Sequence, residues 1–204
     1  MTHILSTELA ELICTRISHD LAGSIGTVSN ALEMWEDDAD DTDDVKSLLT
    51  NSAETLAARL KFFRIAFGLK NAAPKNIEEL KVVIDKYLET IGSAKMPIVM
   101  TSRIKNVSCY KVLMLAVMAL ADVFVRGGEI RAEETEETLS FEAVSDFDLS
   151  LAKLENMQQA LEGHIPSDNP ALWAHIVYLK AFLSEVGAEI ELAFEAKKAI
   201  LHIR

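Results

Sequence analysis

Apolar residues recur every three or four positions along the first part of this chain. This spacing is typical of one face of an α-helix and predicts a single helix of about thirty residues, about 45 Å long at about 1.5 Å per residue. So long an amphipathic helix needs a partner to cover its apolar face, which restricts the folds open to the chain. The periodic positions are Leu5, Leu9, Ile13, Ile17, Leu21, Ile25, Val28, Leu32 and Trp35.

An acidic segment, Glu36–Asp44, interrupts the periodicity and predicts an exposed turn between two helices. An EF-hand calcium loop is the alternative, but its spacing requires a central glycine and a terminal glutamate, which the segment lacks. A second apolar stripe runs from Val45 to Phe67 and ends at Gly68, so the two helices predict an antiparallel hairpin. Two helices cannot bury both stripes, and we therefore expect a homodimer in which two hairpins form a four-helix bundle.

The pattern changes after a predicted linker at 70–76, where helical and strand-like segments begin to alternate. This alternation predicts a two-layer α/β domain, and the chain as a whole is predicted to be α+β, with a helical hairpin at 1–70 and the α/β domain at 71–204. The helical patterns lie at 77–91, 110–125, 151–161 and 171–186. The strand-like patterns are MPIVMT and two predicted β-hairpins, EIRAEETEETLSFEAVS and EIELAFEAKKAILHIR.

The composition excludes several classes of function. The 204 residues carry a formal net charge of −12, which argues against a nucleic-acid surface because such a surface needs a basic face. Cys14 and Cys109 lie in apolar helical patterns and are interpreted as reduced thiols. The sequence has no basic-then-apolar leader, and its longest apolar run, Val112–Ala121, is about half the length of a bilayer span. We therefore expect a soluble cytoplasmic protein that binds neither nucleic acid nor membrane.

His19 lies on the opposite side of the first helix from the apolar stripe. It follows Ile17 by two residues and precedes Leu21 by two, which places it about 160° from either at about 100° per residue. A lone helical histidine is commonly a core residue, but this geometry predicts an imidazole that points outward.

Small residues surround His19 on the predicted outward face. Gly23 and Gly26 follow it by four and seven residues, Ala22 lies beside them, and Arg16 precedes it by three. Each interior glycine costs a helix roughly 0.5–1 kcal/mol relative to alanine. One interpretation is that the missing side chains let a second macromolecule approach the imidazole closely, with these residues at the contact. The alternative is that the glycines admit a neighbouring helix of the same protein.

A basic segment of the second helix is predicted to lie level with His19. The stretch AARLKFFRIAFGLK has four basic residues and no acid, so Arg59, Lys61 and Arg64 are candidates to flank the imidazole, or else form a solvated basic face. An exposed neutral imidazole beside cations suits a phosphoryl acceptor, because fixed positive charge offsets the charge of the transferring oxygens. Asp20 could orient the imidazole or take its proton, or be an ordinary surface acid.

Two segments together resemble the ChpT-like bacterial histidine phosphotransferases. The first is HDLAGSIGTVSNALEMWED, similar to the family pattern H-D-L-x-G-P-x-G-A-x-x-N-x-L-E-L, with Ser24 in place of the proline and Thr27 in place of the alanine. The second is ARLKFFRIAFG, which resembles the second helix of the same family. A weaker similarity extends through most of the remaining chain.

The resemblance implies a relay protein related to sensor histidine kinases, with a degenerate ATP-binding-like domain. His19 would accept a phosphoryl group from the receiver domain of a hybrid histidine kinase and pass it to the receiver domains of response regulators. Asp20 would assist, and the surface formed by Arg16, Ala22, Gly23, Gly26, Arg59, Lys61 and Arg64 would bind the receivers. No cofactor or metal of its own is implied, since Mg²⁺ would be bound by the partner receiver.

A functional ATPase site is not predicted in the second half. Aligning Gly127–Gly128 with the glycine pair of a kinase puts the two expected asparagines on or near Leu115 and Ala119, which cannot ligate magnesium. The segment DFDLS has acids but lacks the glycines of a phosphate loop. Two alternatives to the relay remain: an ATP-dependent histidine kinase with an atypical site, and an adaptor that binds receivers without accepting phosphate. His3, His164, His175 and His202 show no metal-ligand spacing.

Overall fold

The computed structural model describes residues 5–37, 42–68 and 70–204 and has the predicted α+β architecture. Short 3-10 turns at Lys70–Ala72, Val107–Cys109 and Pro170–Trp173 join some of its elements. The helices and strands are α1 (Leu5–Asp37), α2 (Thr42–Ala66), α3 (Ile77–Glu89), β1 (Ile98–Ser102), α4 (Tyr110–Val123), β2 (Gly128–Glu134), β3 (Leu139–Val144), α5 (Leu151–Glu162), α6 (Ala174–Glu185), β4 (Ile190–Glu195) and β5 (Lys198–Ile203).

The predicted helical hairpin is confirmed, with α1 and α2 packed against each other. The predicted turn at Glu36–Asp44 includes residues that belong to the helices, because α1 continues to Asp37 and α2 begins at Thr42. Residues 38–41, where the turn itself is predicted, lie outside the described residues. Asp43 and Asp44 occupy the first turn of α2, where negative charge interacts favourably with the helix dipole. No described helix is both long enough and apolar enough to cross a bilayer.

The five strands form one mixed sheet in the order β1-β2-β3-β5-β4. Both predicted β-hairpins are confirmed as antiparallel pairs, β2–β3 and β4–β5, while β1 runs parallel to β2. Ile130 and Ala132 of β2 are buried and Arg131 between them is exposed, as expected for a sheet that is covered on one face. The helices cover that face, which gives the predicted two layers.

The helix α4 lies at the centre of the core. All ten residues of Val112–Ala121 are buried, and α4 packs against α2, α3, α5, α6 and the sheet. A helix that is apolar on every side is a buried helix. The Gly127 that follows α4 has a positive φ of 77°, and a Cβ built there would lie 2.4 Å from the carbonyl oxygen of Pro97, so the backbone at the entry to β2 requires glycine.

The hairpin is continuous with the α/β part of the molecule. Phe62 of α2 stacks on Tyr87 of α3 with ring centroids 3.7 Å apart, and Ile17 and Leu21 of α1 pack against the same hydrophobic core. The hydrophobic core therefore crosses the predicted boundary at residue 70. The division into domains at 1–70 and 71–204 stays a prediction.

Much of the apolar stripe of α1 is left uncovered within the chain. Ile25, Leu32 and Trp35 are 52%, 49% and 43% exposed, whereas the smaller Ser24 and Ala31 of α1 are buried. The interior of this half of the hairpin is thus filled by small residues rather than by the periodic large ones. A second surface must cover the stripe if it is to be buried.

Candidate functional site

The imidazole of His19 projects from α1 into solvent. Its side chain is 76% exposed, whereas Ile17 and Leu21, two residues to either side, are partly buried against the core. The predicted outward orientation is therefore confirmed. Its cause is the helical geometry that turns alternate residues of α1 to nearly opposite sides.

Asp20 lies beside the imidazole and is mostly buried. Its Oδ1 is 3.4 Å from the Nδ1 of His19, and its side chain is 18% exposed. Its other oxygen, Oδ2, accepts a hydrogen bond of 2.7 Å from the Nε of Arg16. One oxygen of this carboxylate thus faces the imidazole and the other is fixed by a cation.

The surface beyond His19 on α1 is open. Gly23, Gly26 and Ala22 are exposed, and a Cβ built on either glycine would meet no atom within 4 Å among the described residues. Among the described residues of one chain, no neighbouring helix therefore packs on these glycines; a helix of a second copy stays an alternative. The space above them is available to another molecule.

Arg16 is not on this open face, and the prediction that placed it there is wrong. Only 4% of the residue is exposed, because the turn at Pro170–Trp173 and the end of α4 pack against α1 at this point. Its Nη1 donates to the carbonyl oxygen of Leu172 at 2.7 Å, and its Nη2 donates to both carboxylate oxygens of Asp122 at 3.0 and 3.2 Å. Arg16 thus connects Asp20 to the α/β part of the molecule.

The environment of Arg16 perturbs several pKa values. Burial raises the pKa of Asp122, and the charge of Arg16 opposes that rise. Burial by itself would lower the pKa of Arg16, but Asp122 and Asp20 raise it, so the guanidinium stays charged. Burial lowers the pKa of His175 well below its usual value, and the charge of Arg16 lowers it further. His175 is consequently neutral, with its Nε2 lying 3.7 Å from Asp122.

The three predicted basic residues of α2 occupy different places. Arg59 donates from Nη1 to the carbonyl oxygen of Asp20 at 2.6 Å, which brings it next to the site. Lys61 lines a groove of about 570 Å³ between α2 and α3, and Arg64 is exposed. Within the described residues, no hydrogen bond or ion pair joins Lys61 or Arg64 to His19.

Asp122 and Thr90 also belong to the site, and neither was predicted from the sequence. Asp122 ends the ten-residue apolar run of α4, and a lone acid at the end of a buried helix is a signal that could have been noted, since buried charges are normally paired. Thr90 follows α3, and its Oγ1 and carbonyl oxygen accept from Arg59 at 3.1 and 2.8 Å. No local pattern marks it, because its role depends on where α3 ends relative to α2.

The positions that would carry magnesium ligands in a kinase are part of the core. Leu115 and Ala119 are fully buried in α4 and offer no side-chain oxygen. The loop between β3 and α5 is bonded to the end of α4, since the amide of Ser150 donates to the carbonyl oxygen of Val123 at 2.9 Å. No group of three or more His, Cys, Asp or Glu side chains with metal-binding geometry occurs in 5–37, 42–68 or 70–204.

The fold of this chain is similar to that of a solved protein over nearly the whole length of both. The fold matches a solved bacterial phosphotransferase with a TM-score of 0.78 over 97% of this chain and 96% of that one, at 21% identity. The histidine kinase AdeS of Acinetobacter baumannii aligns with a TM-score of 0.46 and 12% identity over 91% of this chain and 95% of that one. No profile of a known protein family matches the chain.

One curated relative carries the name that the sequence resemblance predicted. The protein phosphotransferase ChpT of Brucella abortus (strain 2308) is 39% identical over 71 residues, which are 35% of this chain. The aligned part spans 34% of that relative, about a third of its length. The resemblance to ChpT is thus confirmed for this part, and the match to the solved phosphotransferase extends the similarity in fold to nearly the whole chain.

Proposed function

We propose that this protein is a histidine phosphotransferase that relays a phosphoryl group between receiver-domain aspartates through His19. The observation that carries the proposal is the exposed imidazole of His19, with the carboxylate of Asp20 beside its Nδ1 and bare helix surface at Gly23 and Gly26. The name of the curated relative and the fold of the solved phosphotransferase support it.

The chemistry requires a neutral imidazole with a free nitrogen lone pair. We assign the ring proton to Nδ1, where it faces Oδ1 of Asp20 at 3.4 Å, so Nε2 carries the lone pair. As Nε2 attacks the phosphorus of an aspartyl phosphate, the N–P bond forms and the P–O bond to the partner's aspartate breaks. The electron pair leaves with the partner's carboxylate. The positive charge that develops on the ring is stabilised by Asp20, and the reverse reaction delivers the phosphoryl group to the next receiver.

The surface around His19 fits the approach of a receiver. Gly23, Gly26 and Ala22 would permit close contact, and a groove of about 420 Å³ between α1 and α2 is lined by Gly23 and Arg59 among others. Arg59, Lys61 and Arg64 would supply positive charge toward an acidic phosphorylation pocket. We propose that Mg²⁺ belongs to the receiver and that this chain supplies no cofactor of its own.

We further propose that the working form is a homodimer in the cytoplasm. The large apolar residues Ile25, Leu32 and Leu48 of the hairpin are 52%, 49% and 37% exposed within one chain. Packing two hairpins together as a four-helix bundle would remove such surface from water at about 25 cal/mol per Å². The open face with His19 is separate from the apolar stripe and would remain accessible.

The decisive experiment mixes the full chain with a receiver domain that carries a labelled aspartyl phosphate. We expect label to appear on this chain as an acid-labile, base-stable phosphohistidine, and to be absent in His19→Gln. The control is His164→Gln, which changes a histidine in the loop after α5 and should accept label at the wild-type rate. Receiver binding without label would identify the adaptor instead, and labelling from ATP alone would identify the kinase.

A further inference from the structure

The guanidinium of Arg16 pairs with two acids that are far apart in the sequence, Asp20 and Asp122. Its Nε donates to Oδ2 of Asp20 at 2.7 Å and its Nη2 donates to Asp122 at 3.0 Å. The side chain of Arg16 is 5% exposed and that of Asp122 is 14% exposed, so both charges are largely removed from water. Buried charged groups are retained where they are paired, and breaking such a pair is strongly destabilising.

The Nε and Nη2 groups of an arginine form the fork that binds both oxygens of one carboxylate. Here Asp122 occupies Nη2, and Asp20 therefore receives a single bond through Oδ2. Its remaining oxygen, Oδ1, is left to face Nδ1 of His19 at 3.4 Å. An asparagine at position 122 would keep only one neutral acceptor for Nη2, which is weaker than a carboxylate. Nη2 would then favour the second oxygen of Asp20 and draw Oδ1 away from the imidazole.

We propose that Asp122 is a positioning residue for His19: by occupying one arm of Arg16, it keeps Oδ1 of Asp20 on the imidazole and so retains the ring proton on Nδ1. The inference rests on the proposed phosphotransfer function and assigns it a residue of α4. The bond between Nη1 of Arg16 and the carbonyl oxygen of Leu172, 2.7 Å long, fixes the third edge of the guanidinium. The reactive face of the helical hairpin is thus aligned by the core of the α/β part.

The first test measures the tautomer of His19 by ¹⁵N NMR of its ring on the full chain, without any receiver. We expect the wild-type ring to be mainly in the Nδ1–H form, and Asp122→Asn to increase the Nε2–H form at least twofold. A wild-type ring mainly in the Nε2–H form overturns the proposal, and this result needs no variant to fold.

The second test is a double-mutant cycle on the rate of phosphoryl transfer from a labelled receiver. Asp122→Asn should slow transfer roughly tenfold, by analogy with the loss of a residue that orients a metal-ligating histidine, with the Kd for the receiver unchanged. In an Asp20→Asn background, the same substitution should change the rate less than twofold, because Asp122 acts through Asp20.

A purely structural role predicts a different outcome of the cycle. In that case Asp122→Asn slows transfer equally in both backgrounds, and this result overturns the proposal. The matched control is Glu142→Gln, which removes an acid that pairs with Arg131 and Lys198 on the outer face of the sheet and should leave the rate unchanged. If the wild-type chain transfers no phosphate, the proposed function fails, whereas the NMR measurement still tests the positioning.

Discussion

Arg59 of α2 donates a hydrogen bond of 2.6 Å to the carbonyl oxygen of Asp20 in α1. Its other two nitrogens donate to Oγ1 and the carbonyl oxygen of Thr90 at 3.1 and 2.8 Å. One side chain therefore joins both helices of the hairpin to the end of α3, at the residue that follows His19. The exposed imidazole stands on a rigidly connected base, as precise positioning of a reactive group requires.

Replacing Arg59 by alanine should lower the free energy of unfolding by about 2 kcal/mol, since hydrogen bonds between a charged group and partly buried carbonyls are worth more than neutral ones. Arg59→Lys should recover part of this loss. Urea denaturation monitored by circular dichroism measures both. The comparison variant is Lys61→Ala, an exposed residue on the same helix, for which we expect a change within about 0.5 kcal/mol. Equal losses for Arg59 and Lys61 would contradict the bridging role.

Gly26→Ala should stabilise the protein, because a Cβ at this position meets no atom of the described residues within 4 Å and alanine is the better helix former by about 0.5–1 kcal/mol. The expected rise in Tm is about 1–4 °C for a chain of this size. Differential scanning calorimetry measures the shift. A fall in Tm would mean that the glycine is packed against another surface in solution.

Gly26→Leu should preserve the fold and slow phosphoryl transfer from a receiver at least tenfold, because a branched side chain would stand where the partner must approach. Transfer kinetics and receiver binding, measured together, should change in parallel. Ala10→Leu is the matched control, since Ala10 is exposed on α1 and lies nine residues before His19, on the opposite side of the helix. Equal effects of the two variants would exclude docking over Gly26.

Stability should fall on acidification because of His175. This residue is fully buried and its pKa is lowered well below the ordinary value of 6.5, first by burial and then by the charge of Arg16. Below pH 6.5 the unfolded chain binds a proton at this residue and the folded chain does not, so the sign is a loss of stability as the pH falls. The free energy of unfolding should then fall by up to about 1.4 kcal/mol per pH unit.

His175→Gln should remove this contribution, although it lowers stability at neutral pH as well. The measurement is the difference between the wild-type and variant free energies of unfolding from pH 7.5 to pH 5. That difference should shrink as the pH falls. A difference independent of pH would contradict a buried neutral imidazole.

Leu32→Asp combined with Leu48→Asp should convert a dimer into a monomer. The two new carboxylates on each hairpin would have to be buried in the dimer interface, and burying unpaired charges costs free energy. Analytical ultracentrifugation measures the mass over a range of concentrations. Val99→Asp is the control, because Val99 is equally apolar and 52% exposed but lies on β1, away from the hairpin. If the wild-type chain sediments as a monomer, the proposed dimer is wrong.

Local patterns determined most of the elements of this protein. The spacing of three and four residues from Leu5 to Trp35 predicted α1, and alternation in the two final segments predicted both β-hairpins. The outward direction of His19 followed from its offset relative to Ile17 and Leu21, because a helix converts sequence spacing directly into angle. These properties need only backbone geometry and neighbouring residues.

The tertiary structure alone decided which surfaces meet. Arg16 lies within 60° of His19 by helical geometry, yet it is buried because the α/β part packs against that side of α1 and supplies Asp122, 106 residues away. The burial of Ser24 and Ala31 in place of Ile25 and Leu32 was decided in the same way. Sequence spacing determines the directions of side chains on one helix, whereas charge pairing and burial depend on which distant residues the fold brings beside them.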